Sequence, residues 1–206
     1  MRSRIALRWI ERGLFAAGLL LAVLWLKDYR SAYAFQSSTS RRLDAAPRGD
    51  STGGAASIAV GRDSTAAADS GDALGRIEIP RLRISAMIGE GTDHEVLERA
   101  VGHVTSTARP GGPGNVGLAG HRDTFFRGLG GIREQDLIRI VTVAGIYSYR
   151  VQWTEIVEPR RVDVLDSTAS PSVTLVTCYP FRWVGPAPRR FVVRAVLAEP
   201  TEATLP

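Results

Sequence analysis

The chain has a single cysteine, Cys178, in 206 residues. An internal disulfide is therefore excluded. In an exported protein such a cysteine is either a small buried hydrophobe or a free thiol kept for chemistry. Histidine is scarce too, with only His94, His103 and His121 available for imidazole chemistry. No internal repeat is visible. A surplus of positive charge is also missing from the body of the protein, although the sequence pI is about 10. Residues 1–34 carry six Arg/Lys against two acids, residues 35–74 four against five, and residues 75–206 sixteen against fourteen. The excess lies at the N-terminus, so nucleic acid is not expected as a partner. Residues 36–73 hold no aromatic, and Leu43, Ile58 and Val60 are their only bulky aliphatics. Such a stretch buries too little apolar surface to offset its chain entropy. The composition predicts a disordered linker over 35–74, with a coil span of about 35 Å.

One long apolar run is present, Gly13 to Leu26. Its 14 residues fall short of a membrane span of about 20. Ile10, Trp9 and Leu7 extend it if Arg8, Glu11 and Arg12 lie at the interface. Arg2, Arg4, Arg8 and Arg12 precede the run, which predicts a cytoplasmic N-terminus and an exported remainder. Ala32-Tyr-Ala34 has the form of a signal-peptide cleavage site. Lys27, Asp28 and Arg30, with Trp25 and Tyr29 suited to an interfacial belt, instead favour an uncleaved transmembrane anchor, so that residues 1–34 comprise a cytoplasmic N-terminus and the membrane helix.

From Gly75 onward the pattern is that of short strands separated by turns. Gly75–Ile79 alternates and meets Pro80, which predicts an edge or a bend. Thr92-Asp-His-Glu95 reads as a capping box that opens a short helix with Val96, Leu97 and Ala100 inward. Eight of the 21 glycines fall between 111 and 131, around a buried strand from Asn115 to His121. Leu137–Val143 alternates, and Tyr147, Tyr149, Val151 and Trp153 share one face of the next strand. Arg161–Leu165 has helical character. Ser172–Cys178 alternates up to Pro180, and Phe191, Val193, Ala195 and Leu197 alternate in the last strand. Many short strands with little helix predict a mainly β, closed or nearly closed barrel.

Three groups draw attention as chemistry. Cys178 sits where a strand gives out into a loop, a place where reactive side chains are presented. His121 ends a strand and enters the glycine-rich loop. A thiolate is the competent nucleophile, and a nearby imidazole can lower the thiol pKa and protonate a leaving amine. Arg190 opens the strand after Cys178, and hairpin pairing would set it beside the thiol, where a guanidinium can stabilise an oxyanion. Each has a plainer alternative: a core thiol, a histidine bonded to loop backbone, one more surface arginine. His94 reads as a solvated helix residue, and His103 is left undecided.

At these residues the chain resembles the sortases, cysteine transpeptidases of bacterial surfaces. Thr174-Leu-Val-Thr-Cys178 matches their TLxTC motif, Gly117-Leu-Ala-Gly-His-Arg-Asp-Thr124 the histidine motif, and Arg190-Phe-Val-Val-Arg-Ala195 the arginine strand. Cys178-Tyr-Pro-Phe181 with Ala187-Pro-Arg-Arg-Phe191 is most similar to class D. The resemblance runs from about Gly75 to Leu197. It implies an eight-stranded sortase barrel as a catalytic domain over 75–198, followed by a tail at 199–206. Cys178 would be the nucleophile, His121 the general acid and base, and Arg190 the oxyanion or substrate-positioning group. The implied substrates are exported proteins with a C-terminal LPxTG-like sorting motif, resolved by an amine from peptidoglycan or a pilin lysine. No cofactor is implied, and no acidic cluster suggests a metal. An L,D-transpeptidase would fit an exported cysteine acyltransferase, but it calls for a Ser-His-Gly-Cys segment that the chain lacks. A non-enzymatic anchored β-domain would leave the three motifs as coincidence.

Overall fold

The computed structural model describes residues 2–45, 73–183 and 185–198. Helix α1 covers Arg2–Ala45, and helix α2 covers His94–Arg99. The strands are β1 (Gly75–Ile79), β2 (Ile84–Glu90), β3 (Val101–His103), β4 (Asn115–Ala119), β5 (Leu137–Thr142), β6 (Gly145–Val157), β7 (Ser172–Tyr179) and β8 (Arg189–Leu197). They close into one barrel in the order β1-β2-β3-β4-β7-β8-β6-β5, with β5 returning to β1.

Closure follows from the period-2 pattern. Ile77, Ile88, Leu118, Ile140, Val151, Val173, Leu175, Val193 and Ala195 all point into a single core, fully or almost fully shielded from solvent. Each valine, leucine and isoleucine among them contributes roughly 1.5–3 kcal/mol through burial. Pro80 makes a bend rather than an edge: Pro80–Leu82 form a single 3-10 turn, after which the chain reverses into β2, antiparallel to β1. Arg81, at that turn, is hydrogen-bonded to the carboxylate of Asp136 and holds it below the usual carboxylate range.

Several local expectations are revised. The cap of α2 is Asp93, one residue later than Thr92; its Oδ1 accepts from the Val96 N–H at 3.1 Å. Glu95, expected to reach back to the cap, pairs instead with Arg99 one turn on. Trp153 does not share the inward face of Tyr147, Tyr149 and Val151. A bulge between Val151 and Trp153 in the β6–β8 ladder pairs Trp153 with outward-facing Arg194. One inserted residue is enough to send the following side chain to the other face. Trp153 then packs outside the barrel against Val157, Val164 and Val192.

The N-terminal segment also differs. Residues 35–45, expected within a disordered linker, form the last turns of α1 because their side chains find partners on the barrel. The rest of the expected linker, 46–72, and the tail at 199–206 lie outside the described residues. Among the described residues, no helix is long and apolar enough to cross a membrane.

Candidate active site

Strands β4, β7 and β8 lie side by side, and their ends on one rim carry the three residues singled out in the sequence. β4 runs parallel to β7, with Gly117 opposite Thr174 and Ala119 opposite Val176. The ladder goes one step further, since the Gly120 N–H donates to the Val176 carbonyl at 3.1 Å. Thr177 then fastens the rim: its Oγ1 donates to the Gly120 carbonyl at 2.7 Å. The residues just before the cysteine and just before the histidine are thus bonded to each other, and Cys178 and His121 emerge at one level. Gly120 is required here by close approach, since a Cβ would lie 2.7 Å from the buried ring of Phe126.

β8 returns antiparallel to β7 and sets Arg190 directly opposite Cys178, Val192 opposite Val176 and Arg194 opposite Thr174. Opposed residues project to the same face. The alternate pairs, Thr177–Phe191 and Leu175–Val193, point into the core. Cys178 and Arg190 therefore share the outer face, where both are half-buried, whereas Arg189 is exposed. Arg190 Nη1 donates to the carbonyls of Ala187 and Arg189, at 3.2 and 3.0 Å.

One wall of this face comes from the segment between β6 and β7. The first threonine of the cysteine motif holds it through Asn115. Thr174 Oγ1 donates to Asn115 Oδ1 at 2.7 Å, and Asn115 Nδ2 donates to the carbonyls of Val164 and Asp166. Arg194 Nη2 donates to the same Val164 carbonyl at 2.7 Å, with its guanidinium 5.5 Å from the Trp153 ring centroid. Burial lowers the Arg194 pKa from its ordinary value. The loop between β7 and β8 is gripped by Arg122, the residue after His121. Its Nη1 donates to the Pro180 carbonyl at 3.0 Å, and its Nη2 to those of Trp183 and Gly185 at 2.9 and 3.2 Å.

Residues 77–198 match the sortase domain. The chain belongs to the sortase family. The Bacillus subtilis (strain 168) sortase D is 36% identical over 126 residues, which make up 61% of this chain and 64% of that protein. This sortase therefore spans just under two thirds of that relative. Among solved structures, a sortase D5 transpeptidase from Clostridium perfringens is 31% identical with a TM-score of 0.58, covering 64% of this chain and 82% of its own. Sortase C-1 from Actinomyces oris is 28% identical at a TM-score of 0.59, covering 65% and 76%.

The structure separates the remaining candidates from this rim. His94 is exposed on α2 and pairs with Glu98 at 3.1 Å. His103 is buried, with Nδ1 2.8 Å from Glu90 Oε1 and Nε2 2.9 Å from the Ala108 carbonyl, away from the cysteine. Asn115, Arg122 and Arg194 were not singled out from the sequence. Adjacency to His121 was the one local signal for Arg122; the carbonyls it grips lie about sixty positions further on.

Proposed function

We propose that this sortase is a membrane-anchored cysteine transpeptidase of the bacterial surface. The observation that carries the reading is the rim itself, with Cys178 opposite Arg190 in the β7–β8 register and level with His121 through the Thr177–Gly120 bond. Cys178, as the thiolate, attacks a carbonyl carbon in a C-terminal LPxTG-like sorting motif. The resulting oxyanion is stabilised, or the substrate backbone aligned, by the Arg190 guanidinium. Collapse breaks the C–N bond, His121 protonates the departing amine, and a thioester to Cys178 remains. An incoming amine, from peptidoglycan or a pilin lysine, attacks the thioester, gives up a proton to His121 and regenerates the thiolate.

The anchor belongs to the same proposal. The apolar run Gly13–Leu26, extended back through Ile10, Trp9 and Leu7, would cross the bilayer with the N-terminus cytoplasmic and the barrel outside. Enzyme and substrates would then meet in one plane, since exported substrates are held there by their own sorting signals.

The test is to incubate the full chain with an LPxTG-type peptide and an amine acceptor and to follow the transfer product by mass spectrometry. The proposal expects a product whose new amide replaces the bond after the motif carbonyl, lost in Cys178→Ala and in His121→Ala. Product formation undiminished by Cys178→Ala would overturn it. For the anchor, the membrane fraction should contain the peptide spanning Ala34–Phe35 intact. A mature N-terminus at Phe35 would contradict that part.

A further inference from the structure

Helix α1 changes character along its length. Between Leu14 and Leu26 its described apolar side chains are open to the surroundings, Phe15 by 78% and Leu19 by 69%. From Phe35 onward one face of the helix is occupied. Gln36, Ser40, Leu43 and Asp44 follow the spacing of a single helical face, and each meets the barrel.

Gln36 makes the most specific of these contacts. Its Oε1 accepts the Met87 N–H at 2.8 Å, and its Nε2 donates to the Arg99 carbonyl at 2.7 Å. β3 pairs with β2 only from Ile88 opposite Val101 onward. The carboxamide therefore fills the next place in that ladder, offering one acceptor and one donor as a peptide group would. Leu43, only 8% exposed, packs against Met87 and Val141. Arg76 of β1 donates to Ser40 Oγ at 2.7 Å and pairs with Asp44 at 3.1 Å. The Arg99 guanidinium lies 5.3 Å from the centroid of the Phe35 ring.

From this we infer that α1 is a rigid strut, and that its turns from Phe35 to Ala45 lock the barrel to the membrane helix at a fixed height and orientation. The inference rests on the anchored reading above and replaces a free tether with a built joint. Phe35 lies nine positions beyond Leu26, so the joint stands about 14 Å beyond the apolar run at 1.5 Å per residue. In the closed ring the docked wall, β1 and β2 with β5 beside them, lies across from β7 and β8. The strut fixes the barrel without covering Cys178. A barrel at fixed height meets best those membrane-held sorting motifs whose spacer presents them at that height, whereas a barrel on a loose tether would accept all spacers alike.

The experiment uses the full chain in lipid vesicles with lipid-anchored LPxTG-type peptides of graded spacer length, alongside a soluble peptide. The strut predicts an optimum spacer with about a tenfold fall on either side. An eight-residue Gly-Ser insertion between Tyr33 and Ala34 should flatten that profile and leave soluble-peptide turnover unchanged. Independently of activity, amide hydrogen exchange at Met87 should quicken at least about tenfold in Gln36→Ala, while exchange at core Ile140 stays the same. A flat profile in the unmodified chain, or Met87 exchange unmoved by Gln36→Ala, would overturn the inference. Absence of turnover on the soluble peptide would count against the transpeptidase reading instead, and the Met87 exchange then decides the joint alone.

Discussion

Tyr149 offers a quantitative check on the closed barrel. Its side chain is 1% exposed within the core, and desolvation pushes its phenol up to about 12 from an ordinary 10.0, while the Gly111 amide pulls weakly the other way. The folded state thus keeps a proton that the unfolded chain gives up from about pH 10. Stability tied to this group is fully present below pH 10 and is lost as pH rises toward 12. At 1.36 kcal/mol per unit, a rise of about two units sets the loss at about 2.7 kcal/mol. The chain has four other tyrosines and one lysine, Lys27, so the comparison with Tyr149→Phe is what isolates this group. Urea unfolding of the wild type and of Tyr149→Phe between pH 8 and 12 would read the difference directly. Tyr149→Phe should be less stable at pH 8 by about 0.5–1.5 kcal/mol, for the lost hydrogen bond. It should then fall less steeply with pH and cross the wild type near pH 11. Parallel curves up to pH 12 would refute the burial of the phenol and the barrel packing that imposes it.

Two further predictions concern the rim. Arg190→Lys should lower transpeptidation by about 10²–10³, or roughly 3–4 kcal/mol, while Arg189→Lys keeps it, because only position 190 shares a face with Cys178. The opposite ranking, with both variants folded by circular dichroism, would show that the β8 register is wrong. Thr177→Val preserves shape but leaves the Gly120 carbonyl without its 2.7 Å partner. It should cost about 1–3 kcal/mol in urea unfolding and slow acylation of Cys178; unchanged stability and rate together would remove Thr177 from the positioning of the rim.

Much of this was legible in the residues. Alternation at Phe191, Val193 and Ala195 marks the inward face of β8, although Leu197, next in that alternation, is exposed at the strand's end, and hairpin logic alone sets Arg190 opposite Cys178. What escaped depends on partners distant in sequence. Nothing local to Gln152 announces a bulge, so Trp153 was placed on the wrong face. Gln36 sits in a stretch whose composition argues for disorder, and its order comes from Met87 and Arg99, more than fifty positions away. Arg122 reads as a motif neighbour of His121, and its hold on three loop carbonyls appears only once β4 and β7 are side by side.

The central claim is that Cys178 becomes acylated by a sorting peptide. Intact-mass measurement of the full chain, quenched in acid after mixing with an LPxTG-type peptide in the absence of amine, tests it most directly. The account predicts a mass increase equal to the N-terminal fragment of the peptide less one water, located on Cys178, discharged by added amine and absent in Cys178→Ala. Peptide cleavage without that adduct, or an adduct that persists in Cys178→Ala, would contradict it.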